Sequence, residues 1–452
     1  NERSMMMDKN DKLSRNSHRM SRRRFIEGSL AVLAGAGLAG NKGLFASDVQ
    51  SGPQELRIRE YHTLGRTGFK VSDIGFGSGE LTEPALLDAV LDAGINYIDT
   101  AENYRRGRVE RTIGTAIKSR IRKNIFITTK LVLRENETKK DVLDRTYKCL
   151  ERLQTEYIDC LMIHKPSTVE QTKHEGFHAA IRELKAAGKV RFCGLSNHGS
   201  QWQEEPETME KVLLAAAEDG RFDVMLFVYN FLQREMGESV LKACKEKNIG
   251  ATLMKTNPVL NYLETQEMIE RAEKEGRQPS EYLKKLLPRL KERADKAEAF
   301  KKKYSLANYE EVRDAAVKFV LSHPDVHSAC LTIKNYSDLE AYVSLSGTKF
   351  DSVERKRLSA YKEVFGDFYC RHACGICESK CPHGVPVNTI MRYNHYFKSQ
   401  GREKTAVLKY ASLERNRADF CMDCPGFCEK ACPYGVPVQS LLVLAHQTLT
   451  LA

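Results

Sequence analysis

Thirteen cysteines occur in this 452-residue chain, and eight of them fall in two near-repeats close to its C-terminal end. The first set is Cys370, Cys374, Cys377 and Cys381; the second is Cys421, Cys424, Cys428 and Cys432. Each set closes on a proline and one shared phrase, Pro382-His383-Gly384-Val385-Pro386-Val387 and then Pro433-Tyr434-Gly435-Val436-Pro437-Val438. Three closely spaced thiolates followed by a Cys-Pro form the ligand pattern of a four-iron four-sulfur cluster, and in two-cluster domains the fourth Cys of one run ligates the other cluster. Crossed over, cluster one takes Cys370, Cys374, Cys377 and Cys432, and cluster two takes Cys421, Cys424, Cys428 and Cys381. Zinc is the alternative, although zinc sites usually pair two short clips across a longer loop; disulfides are the other. His372 and His383 read as polar neighbours of the ligands. The stretch between the sets reads as helix over 389–399 and 404–415.

A second group of chemically able residues lies in the middle of the chain: Asp99, Tyr104, Lys130, His164, Ser196 and Asn197. What must position them is a recurring unit of a short apolar run, a turn and an amphipathic helix. The apolar runs are 74–77, 95–99, 125–130, 157–164, 190–196, 223–228, 249–254 and 327–332. Strand signals about thirty residues apart, each followed by a helical pattern, indicate βα units and a parallel sheet. Eight such units close into an α/β (β/α)8 TIM barrel, whose chemistry sits at the C-terminal strand ends. Asp99 ends the second strand, with Tyr104 in the loop beyond it. Lys130 ends the third, His164 the fourth, and Ser196 and Asn197 the fifth. Taken singly, each has a structural alternative: an Asp–Lys ion pair, a loop-anchoring tyrosine, a core histidine.

The motifs around these residues resemble the aldo-keto reductase family. Leu64-Gly65-Arg66-Thr67-Gly68-Phe69-Lys70-Val71-Ser72 is similar to that family's opening hairpin. Ile98-Asp99-Thr100-Ala101-Glu102-Asn103-Tyr104, backed by Gly107, Glu110 and Gly114, is similar to its signature. Thr128-Thr129-Lys130, Asp159 to His164, and Gly194 to His198 follow in order. The resemblance implies carbonyl reduction or alcohol oxidation on a small substrate, with NADP(H) as cofactor. It implies Tyr104 as general acid/base, Lys130 lowering its pKa, Asp99 orienting Lys130, and His164 donating to the substrate oxygen. It further implies Ser196 and Asn197 at the carboxamide and Tyr229 stacked on the nicotinamide. Two departures weaken the cofactor site. Leu226 stands where the family usually has Gln, and the phosphate loop is replaced by 333–342, where Lys334 suits a phosphate and a surface lysine is the other reading. Trp202, Phe227 and Phe231 are the candidate aromatic walls of the substrate pocket.

The remaining features concern address and organisation. Ser21-Arg22-Arg23-Arg24-Phe25-Ile26 followed by a short Ala/Gly/Leu run matches a twin-arginine export signal, with a cleavage site after Ala46. Export of a folded, cofactor-loaded protein suits iron–sulfur sites and implies a periplasmic or envelope location. The formal charge is +11, of which residues 1–24 contribute +5 (eight Lys and Arg against three acids). No basic stripe interleaved with aromatics points to nucleic acid. The tail, with its two cysteine sets and the helical stretch between them, resembles the all-helical ferredoxin module of succinate dehydrogenase and its relatives. The expected organisation is therefore a signal over 1–46, a linker over 47–59, a barrel over 60–348 and a two-cluster ferredoxin-type domain over 365–452 with a redox partner protein. No transmembrane span is expected in the mature chain. A charged insertion over 261–303 reads as a solvated face, with a lid or a docking surface as alternatives. Cys160, Cys193 and Cys330 read as buried small residues.

Overall fold

The computed structural model describes residues 56–198, 207–259, 269–270, 273–274, 281–400, 402–413 and 416–450, with 281–285 and 399–400 described by backbone alone. The expected export segment, most of the expected linker, Trp202 and most of the first part of the insertion lie outside the described residues. Among the described residues, no helix is long and apolar enough to cross a membrane.

All eight expected strands form. They are β3 (Ile74–Gly77), β4 (Tyr97–Asp99), β5 (Phe126–Leu131), β6 (Ile158–His164), β7 (Val190–Asn197), β8 (Val224–Val228), β9 (Gly250–Met254) and β10 (Ser328–Thr332), preceded by a hairpin of β1 (Tyr61–Thr63) and β2 (Lys70–Ser72). The eight pair in parallel and close, β10 meeting both β3 and β9. Alternate residues fill the interior: Tyr97, Phe126, Cys160, Met162, Val224 and Leu226 form one buried cluster with Leu64 and Val71 of the hairpin region. Tyr97 and Phe126 stack at 5.8 Å between ring centroids. The other strand faces join the helices in a second and larger core. The barrel interior is thus solid, and any chemistry is confined to its ends.

The signature residues behind Tyr104 have plain packing reasons. A Cβ on Gly114 would lie 2.7 Å from the Arg152 carbonyl oxygen, because the Arg108–Ile117 and Lys139–Leu153 helices cross there backbone to backbone. Glu110 on the first of these helices is fully buried. It accepts from Thr129 Oγ1 and from Arg152 Nε, both at 2.6 Å. Glu110 therefore ties the helix that follows the Tyr104 loop to β5, the strand that carries Lys130.

The insertion is a docking element. Its Glu281–Lys303 helix runs through Pro288, where the pattern pointed to a start beyond that proline. Leu286 and Leu290 are buried among Val385, Ile390 and Tyr410 of the tail. Arg289 donates to the Gly435 carbonyl at 2.9 Å, and Arg293 lies 4.2 Å over the Phe368 ring. The solvated-face reading is corrected here: the charges decorate a helix whose apolar stripe belongs to the tail's core. In the tail the expected helices occur as Val387–Gln400 and Glu403–Ala411, and a third, Val438–Leu449, carries more buried apolar residues than those two together.

Removing Arg152 strands a buried carboxylate between two helices and a strand. Arg152→Met is expected to cost about 3 kcal/mol in urea unfolding, the scale of breaking one side of a buried pair. The companion change Glu110→Gln, which removes the charge as well, should cost less.

Candidate functional site

Lys130 and Asp99 end adjacent strands, and both are buried. Lys130 Nζ donates to the Asp99 carboxylate at 2.6 and 2.7 Å and to the Thr100 carbonyl at 2.6 Å. Thr128 Oγ1 donates to the same carboxylate at 3.0 Å. Two charges removed from water are tolerated when paired and hydrogen-bonded in this way. Tyr104 opens the short helix Tyr104–Gly107 after β4. Lys130 Nζ lies 5.4 Å from the centre of the Tyr104 ring, and the His164 ring meets that ring edge-on at 6.1 Å. The four residues named from the strand ends thus stand together at one end of the barrel.

The direction of one effect differs from expectation. Burial, with the charge of Asp99 next, pushes the Tyr104 phenol well above its ordinary value. Arg402 pulls the other way without reversing the rise, and the Lys130 ammonium is bonded to Asp99 and Thr100. A phenol held protonated is suited to give a proton to a developing alkoxide. Burial, then Lys165 and Lys130, holds the His164 imidazole well below its ordinary value, so it is neutral. His198 is depressed in the same way, by burial first and then Lys165. The two imidazoles approach at 3.5 Å between their Nε2 atoms, and both Nδ1 atoms are buried without a partner.

The positions assigned to a nicotinamide cofactor divide. Ser196 Oγ is fully buried and unpartnered at the end of β7, an orphaned donor facing the site. Asn197 Nδ2 donates to the Pro166 carbonyl at 3.0 Å, and Asn197 lines a small cavity with Ser167, Glu207 and Ala373. Tyr229 is turned away from the mouth. Its ring stacks on Phe319 at 5.6 Å, its hydroxyl donates to Glu238 at 2.8 Å, and it lies so close over Gly237 that a Cβ there would meet it at 2.4 Å. Lys334 is exposed after β10, with its backbone N–H on Asp338. Phe227 and Phe231 are core residues rather than pocket walls. Ser196 therefore fits a carboxamide, whereas Tyr229 and Lys334 do not form a cofactor cleft with it.

The tail cysteines lie near one another across the two repeats, Cys377 acting on Cys428 as well as on Cys374 and Cys432. Burial, then Cys377, Cys374 and Cys432, raises the Cys370 thiol well above its ordinary value. Burial, then Cys428, Cys381 and Cys424, raises Cys421. Cys370, Cys374, Cys377 and Cys432 line one largely apolar cavity with Arg371 and Tyr434. Among the described residues, no group of three or more His, Cys, Asp or Glu side chains is placed to hold a metal ion, and all thirteen cysteines are free thiols. The two Cys-Pro phrases adopt one conformation. Gly384 and Gly435 have φ of 59° and 65°, Val387 N–H reaches Val385 O as Val438 N–H reaches Val436 O, and a helix follows each. The Val385 N–H also donates to Cys381 Sγ at 3.3 Å.

Five further groups stand at the barrel mouth that sequence reading left out. Lys165 and Lys255 each directly follow a barrel strand, so the strand-end rule that singled out Lys130 could have found them. Arg392, Tyr396 and Lys409 come from the tail, and only its docking brings them here. Arg392 Nη1 donates to the His198 carbonyl at 3.0 Å, and Lys255 Nζ to Tyr396 Oη at 3.2 Å.

The chain belongs to the aldo/keto reductase family, whose sequence profile matches residues 75–363. It is similar to aldo-keto reductase YhdN of Bacillus subtilis, with 28% identity over 327 residues, covering 67% of this chain and 94% of that protein. It is also similar to the NADH-specific methylglyoxal reductase of Escherichia coli, with 28% identity over 211 residues, covering 41% of this chain and 62% of that one. Among solved structures it resembles the aldo-keto reductase AKR11C1 of Bacillus halodurans at 21% identity and a TM-score of 0.48, covering 66% of this chain and 95% of that one. Homologues of this family are oxidoreductases acting on carbonyl and alcohol groups, generally with NADP(H). The Cys-rich tail beyond residue 363 lies outside the family match.

Buried neutral imidazoles make stability depend on pH. An unfolded-chain histidine titrates near about 6.5. Below that value the unfolded chain takes up protons that His164 and His198 refuse, so stability is full above about 6.5 and falls as pH drops. His164→Asn should flatten the slope between about pH 5 and about pH 7 by up to ~1.4 kcal/mol per unit, read from urea midpoints.

Proposed function

We propose that this protein is an exported oxidoreductase that reduces a small carbonyl compound or oxidises the matching alcohol, with Tyr104 as general acid/base. The observation that carries the proposal is the meeting of the Tyr104 phenol, the Lys130–Asp99 pair and the neutral His164 at one end of the barrel. In reduction, a nicotinamide cofactor held at Ser196 would supply the hydride to carbon. Tyr104 gives its proton to the oxygen, and His164 donates a hydrogen bond to that oxygen as charge develops. Lys130, held by Asp99, supplies fixed positive charge beside the phenol once it has become a phenolate. Ser196 is the residue that would hold the carboxamide.

The tail is assigned as an all-helical ferredoxin-type domain over 365–452 with two four-iron clusters, ligated crosswise by the sets named above. The pairing of Cys370, Cys374 and Cys377 with Cys432 around one cavity, and the repeated turn after each Cys-Pro, support it. Such clusters pass electrons singly, so a redox partner protein would meet the tail. The twin-arginine segment over 1–46 and the linker over 47–59 complete the assignment, with a periplasmic or envelope location.

A second reading is favoured by Tyr229 and Leu226. With the first turned into the helix layer and the second filling the barrel interior, the barrel would bind a ligand or take electrons from the tail without nicotinamide-dependent turnover.

Two measurements decide. Tyr104→Phe should abolish aldehyde reduction with NADPH, lowering kcat by a factor of at least about one hundred while the substrate still binds. A wild-type protein that reduces no aldehyde with NADPH, yet exchanges electrons with a redox dye, establishes the second reading instead. Anaerobic purification should yield about eight iron and eight sulfide per chain; a colourless zinc-loaded preparation refutes the cluster assignment.

A further inference from the structure

The barrel mouth carries more positive charge than the reduction chemistry uses. Lys165 directly follows His164, and Lys255 directly follows β9. Both hold φ in the left-handed region, 63° and 55°, which side-chain-bearing residues rarely adopt. Strain of this kind persists where its surroundings impose it, and it clusters at ligand sites. From the tail, Arg392 is 4% exposed and Tyr396 9% exposed, and both press down on the same place. Arg402 lies 4.7 Å from the Tyr396 ring centre, Lys255 4.9 Å from it, and Lys409 6.0 Å from the ring centre of Tyr393.

Counter-charge is scarce there. The ion pairs at this face are Lys130 with Asp99, and Arg402 and Arg105 with Glu80. Among the described residues, no carboxylate comes within ion-pair distance of Lys165, Lys255, Arg392 or Lys409. What the cations have, among the described residues, is the Tyr396 hydroxyl 3.2 Å from Lys255 Nζ, with the Glu378 carboxyl acting on Arg392 from farther off. Burial raises the Tyr396 phenol, but Lys255, Arg392, Arg402 and Lys165 outweigh it and pull it down to about 6. Lys165 is itself pushed down to about 7, by burial first and then by Arg392 and Lys409. Lys255 and Lys409 are lowered too, chiefly by burial. Arg392 is buried and the three lysines are half-buried. Cations shielded from water with so little counter-charge are costly, and a fold keeps them where a ligand supplies more of it.

We infer that Lys165, Lys255, Arg392 and Lys409 form, between the barrel mouth and the tail, a subsite for an anionic group of the substrate, a carboxylate or phosphate carried by the carbonyl compound itself. The inference rests on the carbonyl-reductase reading for the word substrate, and on the geometry alone for the anion. Lys165 is the chain neighbour of His164, so the subsite adjoins the group that would face the carbonyl oxygen. The ligand class is then a small keto- or aldehyde-acid, or a phosphorylated carbonyl compound. The tail contributes half of the subsite, which makes it part of the recognition machinery as well as an electron carrier.

The test uses the full chain. Succinate and inorganic phosphate are titrated at low ionic strength by calorimetry into wild type and into Lys255→Met, Arg392→Met and Lys404→Met. At least one anion is expected to bind, and Lys255→Met and Arg392→Met should each weaken it at least about tenfold. Lys404→Met removes an exposed charge outside the cluster and should not change it. Far-ultraviolet circular dichroism checks folding, and Lys409→Met replaces any variant that fails. Succinate binding without phosphate binding marks a carboxylate, and the reverse marks a phosphate. Equal affinity in wild type and the cluster variants, or no binding of either anion, overturns the inference. So does displacement of the probe by NADP+, which would give the charge to the cofactor. Binding that depends on Lys255, in a protein that reduces no carbonyl, supports the subsite and removes the reductase reading. Where turnover occurs, wild type should favour succinic semialdehyde over butanal in kcat/KM.

Discussion

A closed barrel of parallel strands delivers its polar strand ends to one face, and in this chain that face is covered by the chain's own tail. Arg392 reaches the carbonyl of His198, Tyr396 meets Lys255, and Gln233 exchanges hydrogen bonds with the backbone of His372. The insertion helix Glu281–Lys303 fastens the cover from the side, because its leucines are buried in the tail's core. Once the mouth is shut, water leaves the groups beneath it, and every electrostatic effect at the site follows from that exclusion.

Two kinds of charge result. Lys130 and Asp99 neutralise each other within a ring of donors and acceptors, and as a pair they need nothing further. The Tyr104 phenol and the His164 imidazole have no such partner, so burial drives both to their neutral forms. That is the protonation state a reduction needs at the start: an acid that still has its proton and an imidazole able to donate a hydrogen bond without carrying charge. The opposite problem exists a few side chains away, where, among the described residues, the half-buried Lys165, Lys255 and Lys409 and the buried Arg392 face the Tyr396 phenol and, farther off, Glu378. One region is neutralised by its own pair, and the next is left rich in positive charge, as the proposed anion subsite requires.

The barrel was legible because its signals are local. Each strand is a short apolar run with a helical pattern behind it, and the strand-end rule carried Asp99, Lys130 and His164 to one place without any structure. Lys165 and Lys255 lie one residue beyond the ends of β6 and β9, within reach of the same rule. Other misreadings have a different cause. Tyr229 sits one residue past β8, where nothing in the sequence says which way its ring turns; Glu238 and Phe319, nine and ninety residues on, decide it. The insertion looked solvated because its charges are dense, and its buried leucines declare themselves only against the tail. Arg392 and Tyr396 could not be assigned to the mouth at all, since domain docking leaves no periodic trace.

The proposed iron–sulfur assignment gives the docking a consequence. Arg371, one residue after the first cysteine, lies 4.1 Å over the Tyr434 ring, two residues after the last, so the two repeats are locked to each other across the cavity that Cys370 and Cys432 share. Ligation that crosses between repeats fixes the start and the end of the tail in one step, and metal binding of that kind is folding free energy. The helix between the repeats, Val387–Gln400, carries Arg392 and Tyr396, and it can reach the barrel only in the orientation the repeats impose. Assembly of the clusters and completion of the barrel mouth are then one event. The proposed export route, which carries folded proteins, suits a chain with such an event to finish, and the full set of cations at the mouth is in place only when the tail has closed over the barrel.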